Sequence, residues 1–137
     1  MRNYSFIGHT ADVRLLLEAS TLQELFQAAL EGMAFLIQPV QPTQQEPEQV
    51  LEVTLQAQDT TTLLIDFLSE VLTLSHIYCS VFLRAECIEL TPTHIRAKIF
   101  GMKVNHFDKD VKAVTYHETN VIKNQNGNFE TVVVFDI

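Results

Sequence analysis

Val13-Arg14-Leu15-Leu16-Leu17-Glu18, followed shortly by Thr21-Leu22-Gln23-Glu24-Leu25-Phe26, is the stretch whose reading decides the fold. In the first half Val13, Leu15 and Leu17 alternate with Arg14 and Glu18, the period-2 pattern of a strand. Leu16 interrupts that alternation and is read as a point buried on both faces. The second half opens a helix. Thr21 with Glu24 three residues on is a capping-box signature, in which the threonine oxygen accepts an orphan N–H of the first turn. Leu22, Leu25, Phe26, Ala29, Leu30, Met33 and Ile37 then recur at helical spacing and draw one apolar stripe.

The same strand–helix sequence repeats. Leu51, Val53, Leu55 and Ala57 alternate with Glu52, Thr54 and Gln56. Asp59 or Thr60 can cap a second helix, with Leu63, Leu64, Phe67, Leu68, Val71 and Leu72 on one side and Asp66, Ser69, Glu70 and Thr73 on the other. Residues 38–49 separate the two units and hold three of the four prolines, a density that neither helix nor ladder tolerates, so an exposed loop is expected there. The remainder reads as β: residues 80–90 and 94–100 as paired strands, residues 101–110 as a polar crossing, and residues 114–123 and 129–136 as a hairpin turned at Asn126-Gly127. Val132-Val133-Val134-Phe135 is apolar throughout, which suits a central strand covered on both faces. The pattern predicts one α+β domain over residues 1–137, a mixed, largely antiparallel sheet packed with two principal helices.

At 137 residues with 47% hydrophobic content, the chain can bury a core without staples. Seventeen Asp+Glu against nine Lys+Arg give a net charge of −8, which repels phosphate backbones and anionic lipid and suits cations and basic protein faces. Cys79 and Cys87 form no disulfide framework or zinc motif and are read as two reduced, partly buried thiols. No signal-peptide run and no membrane span is visible, so a cytoplasmic protein is expected. Gly-x-x-x-x-Gly-Lys, Gly-x-Ser-x-Gly and Cys-x-x-Cys motifs are absent.

Several residues can carry chemistry, each with a plainer reading beside it. Asp12 ends a polar turn before a strand; a carboxylate there can ligate a hard cation or simply bond turn N–H groups. Asp136 and the carboxyl group of Ile137 lie one residue apart, either a cation site or an ordinary chain end. Lys112 can hold an anion or lay its stem on apolar surface. Asp66 and Glu70, one helical turn apart, either meet a basic partner or face solvent. The five histidines make no zinc-protease pair; His9 and His117 either support a metal site from behind or are structural.

Two motifs, Gly8-His9-Thr10-Ala11-Asp12-Val13 and Val111-Lys112-Ala113-Val114-Thr115-Tyr116-His117, together with the Phe135-Asp136-Ile137 end, resemble the archease family. The resemblance runs along nearly the whole chain. Relatives often carry Trp and Asn where this chain has Phe67 and Ser69, and an acid where it has Met102. The resemblance implies a protein cofactor rather than an enzyme: an activator of an RtcB-type, GTP-dependent RNA ligase in tRNA splicing and RNA repair. It implies a divalent-metal site (Ca or Mg/Mn class) built from Asp12, Asp136 and Ile137. It further implies a functional lysine at Lys112, with His9 and His117 as possible outer support. RNA would be met only through the ligase, and no membrane is involved. A metal-dependent phosphohydrolase using the same carboxylates and a chaperone-like, non-catalytic binding module are the alternatives.

Overall fold

A computed structural model describes residues 1–8, 12–39 and 46–137. Part of the expected loop at 38–49, residues 40–45, and the turn residues His9, Thr10 and Ala11 lie outside the described residues. The elements in order are β1 (Arg2–Gly8), β2 (Asp12–Ala19), α1 (Leu22–Ile37), β3 (Gln49–Gln56), α2 (Thr60–Tyr78), β4 (Ser80–Thr91), β5 (His94–Lys103), β6 (Ala113–Thr115), β7 (Ile122–Lys123) and β8 (Phe129–Asp136). This is the α+β architecture with two principal helices that the sequence predicts.

The strands divide between two sheets rather than forming one. The larger runs β1-β2-β8-β6, with β7 also on β8; the smaller runs β3-β5-β4. Every pairing among the described residues is antiparallel. α1 touches β1, β2 and β8 of the larger sheet and β4 of the smaller one, while α2 touches β6 and β3, β4, β5. The helices therefore form a layer between two sheets, which explains why α1 is buried well beyond one stripe: Ala28, Ala34 and Leu36 are enclosed along with Leu25, Phe26, Leu30 and Met33. Phe26 and Phe67 meet between the helices at 5.7 Å between ring centroids.

The caps follow the sequence signals. Thr21 accepts the Glu24 N–H at 3.1 Å, and Asp59, rather than Thr60, caps α2 by accepting the Thr62 N–H at 2.7 Å. Glu24 does not complete the capping box with its side chain; its carboxylate pairs with Arg2 at 2.9 Å and ties β1 to α1. Cys79 ends α2 in the left-handed region (φ 49) and is exposed, whereas Cys87 is half-buried, so only one of the two thiols is sheltered. Burial pushes the Cys87 thiol up from its ordinary pKa.

Four local readings differ from the structure. β1 carries no assignment in the sequence reading, yet it forms the edge of the larger sheet, with Tyr4 opposite Leu17 and Phe6 opposite Leu15. Leu16 is 38% exposed instead of buried, because β2 keeps strict alternation and points Leu16 away from the helices. Gly101, Met102 and Lys103 continue β5 instead of starting the polar crossing, and Met102 is a core residue opposite Val81. The expected strand over 114–123 is broken into β6 and β7. Between them Glu118 takes a left-handed conformation (φ 64), the Tyr116 hydroxyl donates to Asp66 on α2, and the Val121 N–H donates to Thr61 Oγ1 at 3.0 Å. Bonds to α2 replace the ladder there.

The Asn126-Gly127 turn forms as expected, with Gly127 at φ 79 and Asn124 Oδ1 accepting the N–H groups of Asn126 and Asn128 at 3.0 and 3.1 Å. The amides of Asn124 and Asn128 also reach Glu18 on β2, at 2.6 and 3.1 Å. These donors, Asn128 first and then Asn124, hold the Glu18 carboxyl below its ordinary pKa. A carboxyl depressed in the fold stabilises it above the unfolded pKa, and that contribution is lost as pH falls through the folded value. Glu18→Gln is therefore expected to reduce the pH dependence of stability on the acid side, read from urea unfolding midpoints between neutral and acid pH.

α1 lies against β2 at Gly32, where an added Cβ would meet Leu15 Cδ2 at 2.6 Å and Cδ1 at 2.8 Å. Leu15 is fully buried and has little room to yield. An alanine gains about 1 kcal/mol in helix propensity, against roughly 1–3 kcal/mol for overpacking. Gly32→Ala is expected to lower stability by about 1 kcal/mol, measured by urea unfolding; a stabilised variant would show that Leu15 repacks freely.

Candidate cation and partner site

β2 and β8 pair along their whole length, from Asp12 opposite Asp136 to Ala19 opposite Phe129. The inward residues of this ladder, Val13, Leu15, Leu17, Val133 and Phe135, belong to the core. Alternation puts Asp12, Arg14, Leu16 and Glu18 on the other face with Asp136, Val134, Val132 and Glu130. Residues opposite each other on an antiparallel pair stand roughly 4.5–5.5 Å apart at Cα. Asp12 and Asp136, from opposite ends of the chain, are therefore neighbours on one surface.

The lysine motif joins them through the backbone. The Lys112 N–H donates to the Asp136 carbonyl oxygen at 2.8 Å, and the next residue, Ala113, pairs with Asp136 in the β6–β8 ladder. The Lys112 side chain is exposed. Ile137 is half-buried beside Phe6, Val13, Phe35 and Leu36, in an apolar hollow of about 360 Å3. His117 is exposed and its N–H donates to Thr115 Oγ1 at 3.2 Å; among the described residues no hydrogen bond joins its ring to Asp12 or Asp136. His9 lies outside the described residues. The structure thus brings Asp12, Asp136 and Lys112 to one end of the larger sheet and gives His117 no described role there.

Two like-charged pairs face each other across the β2–β8 ladder, and they are treated differently. Directly opposed like charges destabilise a sheet. Glu18 and Glu130, at one end, share amide donors: Asn124 Nδ2 reaches both, at 2.6 and 3.3 Å. Asp12 and Asp136, at the other end, have one cationic contact among the described residues, Arg14 Nη1 at 3.3 Å from Asp12 Oδ1. The Asp136 carboxylate has no hydrogen bond or ion pair among the described residues, so this pair is only partly compensated, and a cation would complete it. The donors are carboxylate oxygens, which suit hard divalent ions. Among the described residues no three His, Cys, Asp or Glu side chains gather into a metal-binding cluster, so any ion held by Asp12 and Asp136 would need further oxygen ligands, such as the chain-end carboxylate or water.

Sequence reading passed over Arg14, Glu118 and the Tyr116–Asp66 bond. Arg14 was detectable, since two residues on a strand separate it from Asp12 and place both on one face. Glu118 and Asp66 were not, because they arrive through a turn and a helix remote in sequence. Asp66, read as a possible contact for a basic partner, is engaged within the chain. A groove of about 660 Å3 opens further along the same face, over Leu16, Glu18, Ile122, Glu130 and Val132; it does not include Asp12, Asp136 or Lys112.

The protein belongs to the archease family: the family model matches residues 4–137. The chain is similar to protein archease of Methanosarcina mazei, with 31% identity over 99% of this chain and 97% of that one. It is similar in structure to Methanobacterium thermoautotrophicum protein 1598, with TM-score 0.76, 25% identity and 98% of both chains covered. It also shares the fold of an archease from Thermotoga maritima described as a possible chaperone, at TM-score 0.66 and 18% identity over 96% of this chain and 94% of that one. Among the described residues no helix is long and apolar enough to cross a membrane.

The bond to Asp66 raises the Tyr116 phenol above its ordinary pKa, with burial and the nearby charge adding to it. The hydroxyl donates to the carboxylate, so losing its proton breaks the bond and sets two negative charges together. Asp66→Asn is expected to bring the Tyr116 titration back down, followed by ultraviolet absorbance in alkaline solution. An unchanged titration would mean that the Tyr116–Asp66 bond is not held in solution.

Proposed function

We propose that this protein activates an RtcB-type, GTP-dependent RNA ligase, promoting guanylylation of the ligase's active-site histidine and its repeated turnover. The observation that carries the reading is the pairing of Asp12 with Asp136, with the Lys112 N–H bonded to the Asp136 carbonyl. Asp12 and Lys112, one from each family motif, meet Asp136 of the chain end at one end of the larger sheet. Asp12, Asp136 and the Ile137 carboxyl group would hold a divalent cation of the Ca or Mg/Mn class. Such an ion, when bound, neutralises phosphate charge during nucleotidyl transfer. Lys112, whose backbone bonds Asp136, offers an exposed cation and would dock against an anionic group of the partner. The net charge of −8 favours encounter with a basic protein face and disfavours RNA binding by this chain alone.

The test is guanylylation of a cognate ligase at limiting GTP, with and without this protein. Stimulation is expected, and Asp12→Ala should reduce it on the order of tenfold or more, the usual scale for disturbing a metal site. Full stimulation by a folded Asp12→Ala protein would sink the cation-site mechanism.

A chaperone-like binding module is favoured by the apolar hollow at Phe6, Val13, Phe35 and Ile137, where Phe35 is 44% exposed. That reading requires partner binding indifferent to divalent ions and to Asp12, which the same variants measure.

A further inference from the structure

Arg14 sits where the proposed cation would act, and its guanidinium is shared. Nη1 makes one long contact to Asp12 Oδ1 at 3.3 Å. Nε and Nη2 make two shorter bonds to Glu118, at 2.7 and 3.0 Å. Glu118 follows the lysine motif in the turn after β6. The bridge spans β8 at Val134, which pairs with Arg14 on one side and with Thr115 on the other. Val134 is 2% exposed although it faces away from the core, as expected beneath such a bridge.

The two contacts are unequal. A forked, two-bond pair with a carboxylate is the stronger arrangement, so Glu118 holds the guanidinium more firmly than Asp12 does. Arginine does not lose its proton in proteins. A divalent ion arriving at Asp12 therefore meets a permanent positive charge that can only be displaced or held aside. Glu118 is the group placed to hold it.

We propose that Arg14 is a positioning residue that sets the cation affinity of the Asp12–Asp136 pair, its guanidinium competing with the ion for Asp12 and drawn aside by Glu118. The inference rests on the cation reading above. It assigns opposite signs to the two partners. Arg14 competes with the ion, whereas Glu118 draws the competitor away. A purely structural clamp would have one sign, because loss of either residue would loosen the site and weaken binding.

The experiment is calorimetric titration of the full chain with calcium chloride and, separately, magnesium chloride. Wild type, Arg14→Gln, Glu118→Gln and Asp12→Asn are compared, each checked for fold by circular dichroism. Arg14→Met serves as a second variant whose stem still covers Val134. Removing a unit charge a few ångströms from the ion should tighten binding roughly tenfold in Arg14→Gln and Arg14→Met. Glu118→Gln should weaken it roughly threefold, and Asp12→Asn should abolish it. Equal or weaker binding by both Arg14 variants, with wild type binding normally, would overturn this inference and leave the cation site standing. No binding by wild type or by either Arg14 variant would overturn the cation site and this inference with it.

Discussion

The ladder between β2 and β8 is the constraint on which the molecule depends. It joins a strand near the start of the chain to the last one and sets their register over eight pairs, from Asp12–Asp136 to Ala19–Phe129. A slip of one residue would turn Val13, Leu15 and Leu17 outward and bury Arg14 and Glu18. The core therefore enforces the register. The juxtaposition of Asp12 and Asp136 on the opposite face follows from apolar packing on the inner one, so the candidate site is positioned by residues that take no part in its chemistry.

The helix layer supplies the second constraint. α1 is enclosed between the sheets, and Gly32 lets it lie close to Leu15. α2 reaches past the core to the turn after β6, through the Tyr116–Asp66 bond and the Thr61 contact to Val121. The lysine motif is thereby held from two sides, by β8 through Asp136 and by α2. The cost is a broken ladder between β6 and β7, where side-chain bonds to a helix stand in for backbone pairing.

Electrostatics then separates the two ends of the β2–β8 face. Amide donors at Glu18 and Glu130 settle one acidic pair within the chain. The other, Asp12 and Asp136, is left with a share of one guanidinium. Strongly acidic proteins accumulate repulsion of this kind, and where it is only partly compensated at a defined place it suits a cation or a cationic partner. Met102 adds nothing to this charge, because it is a core residue of β5 and its place in the fold is one of packing.

Both helices, their caps, the strands β2, β3, β4, β5 and β8 and the Asn126-Gly127 turn were legible in the sequence, because each depends on periodicity or turn chemistry within a short window. β1 was passed over although Tyr4 and Phe6 alternate with Asn3 and Ser5. Leu16 was misplaced because an apolar residue in a strand does not by itself report which face is covered. The motifs named Asp12, Asp136, Ile137 and Lys112 as candidates. Local sequence determined these elements and residue types, since backbone propensity and side-chain period act over a few residues. Only the tertiary structure decided that the strands form two sheets around a helix layer, that Asp12 stands opposite Asp136, and that Arg14 lies between Asp12 and Glu118. Those relations arise from long-range register and core packing, in which each residue's neighbours come from distant parts of the chain.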